Sequence, residues 1–104
     1  MLFIITLSYI RPIEEVKAHL DAHKAWLIKH IQTGNIIFAG PLKEGNGGLI
    51  LAYGENVAII QNMIAEDPFD IHHLTRFDIQ TCNPAMRTND FPAQWAAEAL
   101  AIVI

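Results

Sequence analysis

The sequence has little with which to cross-link itself, bind a polyanion or enter a membrane. Its one cysteine, Cys82, has no internal disulfide partner and no Cys-x-x-Cys companion. On a strand it is expected to be a small, buried or half-buried side chain. Charged residues make up only 17% of the chain, and carboxylates outnumber cations to leave a formal net charge of −4. Lys and Arg are scattered and form no basic stripe, so nucleic acid is not an expected partner. A polybasic membrane anchor is missing for the same reason. The apolar opening, Met1 to Leu7, is too short to span a bilayer. It also lacks the charged start and small-residue cleavage site of a signal peptide, so a cytoplasmic location is expected. No internal repeat, low-complexity segment, domain linker or cofactor-binding motif is visible.

What is present is apolar. Hydrophobic residues account for 52% of 104 residues, a rich share for one small domain. A chain with that much apolar surface and so few charges is expected to hide part of it against a second copy of itself.

The periodicity of the chain divides it into elements. Leu2 to Tyr9 is rich in β-branched and aromatic residues and reads as a strand. Pro12 suits the first turn of a helix. From Ile13 the apolar residues Ile13, Val16, Leu20, Leu27 and Ile31 recur at helical spacing, which predicts one helix through Gln32, stopped by Gly34. Asn35 to Ala39 predicts a second strand ended by Gly40-Pro41, and Gly48 to Tyr53 a third. The short glycine-rich connection between them favours an antiparallel hairpin. Asn56 is a plausible N-cap for a second helix with Val57, Ile60, Met63 and Ile64 on its apolar face, ended by Asp67-Pro68. Leu74 to Cys82 alternates as a fourth strand. The remaining residues, 83–104, form an extension in which Pro92 to Leu100 predicts a short helix.

The order strand, helix, strand, strand, helix, strand predicts a single α+β domain of ferredoxin-like βαββαβ type. Its four-stranded antiparallel sheet would carry two helices on one face, with a core in residues 1–82. Strands one to three are nearly continuous apolar runs, the pattern of a sheet covered on both faces. Two helices cover one face. A homodimer is the expected cover for the other, with the C-terminal extension taking a share.

Three of the five histidines, His19, His23 and His30, lie on the first helix. At 100° per residue His23 falls about 40° from the centre of the apolar stripe, His30 about 60° and His19 about 80°. His23 therefore stands where an apolar residue is expected and needs a partner for its imidazole. Two readings follow. One is a structural histidine bonded to a backbone carbonyl. The other is a general acid or base, since the unperturbed pKa of about 6.5 suits proton transfer near neutrality. His19 and His23 have the i, i+4 spacing of metal ligands, but no third ligand is evident, so no metal is expected. His72-His73 reads as loop. Glu66, Asp67 and Asp70 gather at the end of the second helix, where the macrodipole disfavours negative charge. A histidine from the first helix would explain that placement.

The segments Ala22-His23-Lys24-Ala25-Trp26-Leu27, Gly34 to Pro41, Gly48 at the start of a strand and Asp67-Pro68-Phe69 together resemble the YCII-related (YciI-like) proteins, over roughly residues 1–82. The resemblance implies a dimeric α+β barrel with a His–Asp pair in a pocket, carried here by His23 and Asp67 as candidate catalytic residues. Gly40, Pro41 and Phe69 are candidate substrate-binding residues. Arg76, on the polar side of the fourth strand, is a candidate to hold an anionic ligand group, with an aggregation-blocking edge charge as its alternative. At least one such relative removes chloride from a hydroxylated ring. The expected function is cofactor-independent, lyase- or isomerase-like chemistry on a small organic, possibly cyclic, substrate. The alternative is a non-catalytic small-molecule-binding or interaction module on the same scaffold.

Overall fold

The computed structural model describes residues 1–104. Its elements are β1 (Leu2–Tyr9), α1 (Ile13–Ala18), α2 (Leu20–Gln32), β2 (Ile36–Pro41), β3 (Gly47–Tyr53), α3 (Val57–Ala65), α4 (Pro68–Ile71), β4 (Thr75–Cys82), β5 (Met86–Thr88) and β6 (Leu100–Ile102). The four-stranded sheet is antiparallel, in the order β2-β3-β1-β4. This is the ferredoxin-like arrangement that the order of periods predicts.

Strand alternation decides which residues meet the helices. Phe3, Ile5 and Leu7 of β1 and Ile50 and Ala52 of β3 are buried in one cluster with Val16, Trp26, Ile60 and Met63 from the helices. The intervening residues point the other way. On that second face Ile4 lies opposite Leu51. Arg76, Asp78 and Gln80 are exposed along β4, so the second face is apolar in its centre and polar on one flank.

Local chemistry sets the ends of the elements. Thr33 closes α2, the amide of Gly34 bonds Ile31 O (3.1 Å) and the amide of Asn35 bonds His30 O (3.1 Å). That is a Schellman cap, which needs the positive φ of +85° that Gly34 adopts. Asn56 caps α3 as expected, its side-chain oxygen accepting from the amide of Ile59 at 3.1 Å. The register of β2 slips between Ile36 and Phe38. This bulge lets both Ile36 and Ala39 face the helices, while Phe38 turns out to solvent at 53% exposure.

Three expectations are corrected. The first helix is interrupted at His19, where φ and ψ of −114° and 11° separate α1 from α2. Its buried face is then Val16, His23, Trp26 and His30, whereas Ile13 and Ile31 are exposed. The expected helix from Pro92 to Leu100 is a single 3₁₀ turn at Ala93–Trp95, flanked by β5 and β6, which pair in parallel. Pro92 holds an extended ψ of 128° ahead of that turn, and a segment of so few residues gains too little packing to propagate a helix. The extension pairs with itself through β5 and β6 and buries Ala96 and Ala99. Cys82, at the end of β4, is exposed rather than half-buried.

Candidate functional site

A pocket of about 460 Å³ opens between α2 and the end of the sheet where β2 turns into β3. Both walls follow from local structure. On α2, Leu20, His23, Lys24 and Leu27 share one stripe, because residues three and four apart lie on one helix face. On the sheet, the bulge in β2 brings Ala39 inward, and Gly40, Pro41, Gly47 and Gly48 form the rim. Gly47 is required there for steric reasons: a Cβ on it would sit 1.8 Å from the carbonyl oxygen of Leu7. Phe69 and Tyr9 complete the far side, their rings edge-to-face at 6.2 Å.

His23 is the buried titratable group of the pocket wall, with its side chain 10% exposed. Its Nδ1 lies 2.8 Å from Oδ1 of Asp67. A carboxylate oxygen accepts, so Nδ1 donates. That fixes the tautomer and leaves Nε2, which bonds no protein group, as the free nitrogen. The imidazole plane is set by Phe69, stacked on it at 3.9 Å and 5°. Trp26 adds a second, longer ring contact at 5.6 Å and anchors α2 by donating Nε1–H to Met63 O at 2.9 Å.

Asp67 is completely buried. It does not trail from the end of α3, as the sequence pattern suggests. It is the N-cap of α4, with Pro68 next and Oδ1 accepting from the amide of Phe69 at 3.0 Å. The carboxylate therefore sits at the favourable end of a short helix. One oxygen atom ties together the histidine of α2 and the turn that carries Phe69. The other, Oδ2, is buried and meets no protein donor.

Glu66, its neighbour, faces the other way. Its Oε1 accepts from Lys29 Nζ at 3.1 Å and lies 3.4 Å from His30 Nε2, without hydrogen-bond geometry to the imidazole. The hydrogen bond from Lys29, aided by its charge, holds the Glu66 carboxyl below the usual carboxylate range. The acidic cluster thus divides between two groups of α2 residues. His19 and His72 form a separate stack at 3.9 Å.

Of the sequence-derived candidates, His23, Gly40, Pro41 and Phe69 lie on the pocket wall, and Asp67 stands directly behind His23. Arg76 is not brought to this pocket. It is exposed on the second face of the sheet, with Nε 3.4 Å from Asp78. Tyr9 and Lys24, which are not among the sequence-derived candidates, also line the pocket. Lys24 carries a sequence signal, since it shares the helical stripe of Leu20 and Leu27. Tyr9 carries none beyond its place on a strand.

No protein-family model matches the chain, and no curated protein sequence matches it. Among solved structures it is similar to 5-chloro-2-hydroxyhydroquinone dehydrochlorinase (TftG) from Burkholderia phenoliruptrix AC1100, in complex with 2,5-dihydroxybenzoquinone. The TM-score is 0.69 at 21% identity, over 81% of this chain and 95% of that one. The likeness establishes the fold.

Proposed function

We propose that the chain is a YCII-related protein. In this reading it works as a homodimer and uses the His23–Asp67 pair as a general acid and base on a small organic, cyclic substrate. The observation that carries the reading is the asymmetry of His23: Nδ1 is tied to a buried carboxylate and Nε2 is left free on a pocket wall. A histidine kept only for structure is expected to satisfy both nitrogens or to be sealed from any cavity. In the proposed reaction Nε2 takes a proton from a hydroxyl or carbon of the substrate. The electron pair left behind either shifts a double bond, after which the imidazolium protonates a different atom of the substrate, or expels a leaving group, after which the imidazolium gives its proton to that group or to water. Asp67 holds the imidazole in place through this cycle.

The pocket volume of about 460 Å³ suits a one-ring compound. The dehydrochlorinase with the similar fold is named for a chlorinated hydroxyhydroquinone and binds a dihydroxybenzoquinone. Hydroxylated rings and quinones are therefore the first compounds to screen. A thermal-shift screen followed by turnover assays tests the reading, with His23→Gln as the control. Turnover that His23→Gln abolishes, in a protein that still folds, supports it. Stabilisation by ligands without turnover, unchanged in His23→Gln, assigns the chain to the alternative of a non-catalytic binding module.

A further inference from the structure

We infer that Lys24 makes this pocket selective for planar compounds that carry an anionic oxygen group, a carboxylate or an ionised ring hydroxyl. The inference deepens the proposed function and rests on the same pocket. Its basis is the charge pattern of the wall. The chain as a whole is acidic, at −4, yet no Asp or Glu lines the pocket, and Lys24 is the single formal cation that does. The three cations that the fold pairs with carboxylates are Arg11, Lys29 and Arg76. Lys24 has no such partner, although it stands only one residue from His23. Lys24 lines the pocket beside Leu20, His23 and Leu27 and is also exposed, so its charge lies where the pocket meets solvent, the usual place for a lysine beside apolar surface.

The rest of the wall defines the remainder of the ligand. Leu7, Leu20, Leu27 and Ile50 are aliphatic, and Phe69 adds aromatic surface where its ring stacks on the imidazole. Such a cleft takes an apolar, flat body. A neutral compound would leave the ammonium unused at the mouth. A cation would meet Lys24 with no carboxylate to compensate. An anion gains a charge-assisted hydrogen bond at the rim while its ring is buried.

The test is calorimetric titration of the full chain with benzoate and with benzamide, a neutral compound of the same shape. Wild type is expected to bind benzoate roughly tenfold more tightly than benzamide. Lys24→Gln should erase that preference by weakening benzoate alone, and Lys24→Arg should keep most of it. Lys24 is exposed, so neither substitution threatens folding. Equal binding of the two probes overturns the inference, as does failure of both to bind at millimolar concentration. A preference that survives Lys24→Gln and disappears in His23→Gln also overturns it, because the anion then sits on the imidazole. The enzyme reading fails separately: a Lys24-dependent preference in a protein without turnover leaves this inference standing and removes the catalytic one.

Discussion

Nδ1 of His23 and Oδ1 of Asp67 lie 2.8 Å apart although 44 positions separate the residues in the chain. The contact joins α2 to the turn before α4 and places both partners out of solvent. The same Oδ1 caps α4 through the amide of Phe69, whose ring stacks on the imidazole. Position, tautomer and ring plane of His23 are thus set by three consecutive residues, Asp67 to Phe69.

A double-mutant cycle should reveal that coupling. His23→Gln and Asp67→Asn are each expected to destabilise the fold by about 1–3 kcal/mol, since each leaves a buried polar partner unsatisfied. The double variant should cost less than the sum, with a coupling of about 1–3 kcal/mol in urea denaturation. Asp67→Ala should cost more than Asp67→Asn, because it also removes the cap of α4. Strict additivity of the two single changes would show that the contact contributes nothing in solution.

The two glycines of the pocket rim should respond in opposite ways. A Cβ on Gly47 meets the backbone oxygen of Leu7 at 1.8 Å, whereas one on Gly40 meets nothing within 4 Å. Gly47→Ala must push β3 away from β1, the central pair of the sheet, and is expected to cost at least ~3 kcal/mol or to prevent folding. Gly40→Ala should stay within about 0.5 kcal/mol of wild type. Thermal denaturation of both variants checks the contrast, and similar melting temperatures would contradict this packing of β3 on β1.

The fold was readable because each element carries its own period and its own stop signal, as Gly34 and Asn56 illustrate. His23 was readable because it interrupts an apolar stripe. The break at His19 was not, since no proline or glycine marks it. Nor was the bulge after Ile36, because a run of apolar residues such as Ile36 to Ala39 has no alternation to slip out of phase. The bulge is what brings Ala39 to the pocket, so its place on the sheet wall lay beyond the pattern, whereas Gly40 and Pro41 on the same wall were reached through the resemblance. Asp67 was found through its resemblance to a motif and its odd position at a helix end. Its second task, capping α4, becomes visible only when that short helix is seen.

Glu66 gives a pH-dependent term that can be isolated. Lys29 holds its carboxyl below the ordinary value of 4.5. A depressed carboxyl stabilises the folded state above the ordinary value, and that contribution is lost as pH falls through the lowered one. Wild type should therefore be slightly more stable than Glu66→Gln at neutral pH. The difference should shrink below about pH 4.5 and vanish in stronger acid. The effect is small, because the pair is exposed, and salt should reduce it further. Urea titrations across pH measure it, and a difference that is constant down to the acid limit would contradict the ion pair.

The second face of the sheet is expected to be the dimer interface. Ile4 and Leu51 are directly opposite each other on the two central strands, β1 and β3, and Phe38 projects from the same face. The helices pack on the opposite face, against Phe3, Ile5, Ile50 and Ala52. Phe38 is exposed and Ile4 and Leu51 are half-buried, so contact with a second copy would remove further apolar surface from water, and a two-fold axis offers the same patch on both sides. Light scattering at micromolar concentration should return twice the chain mass of 11.6 kDa. Leu51→Glu places a carboxylate at the centre of the patch, where pairing two copies would desolvate two like charges, and should give a folded monomer. Arg76→Ala, on the polar flank, should leave the dimer intact. A wild-type chain that scatters as a monomer would refute the interface. A Leu51→Glu variant that stays dimeric would move it to another surface.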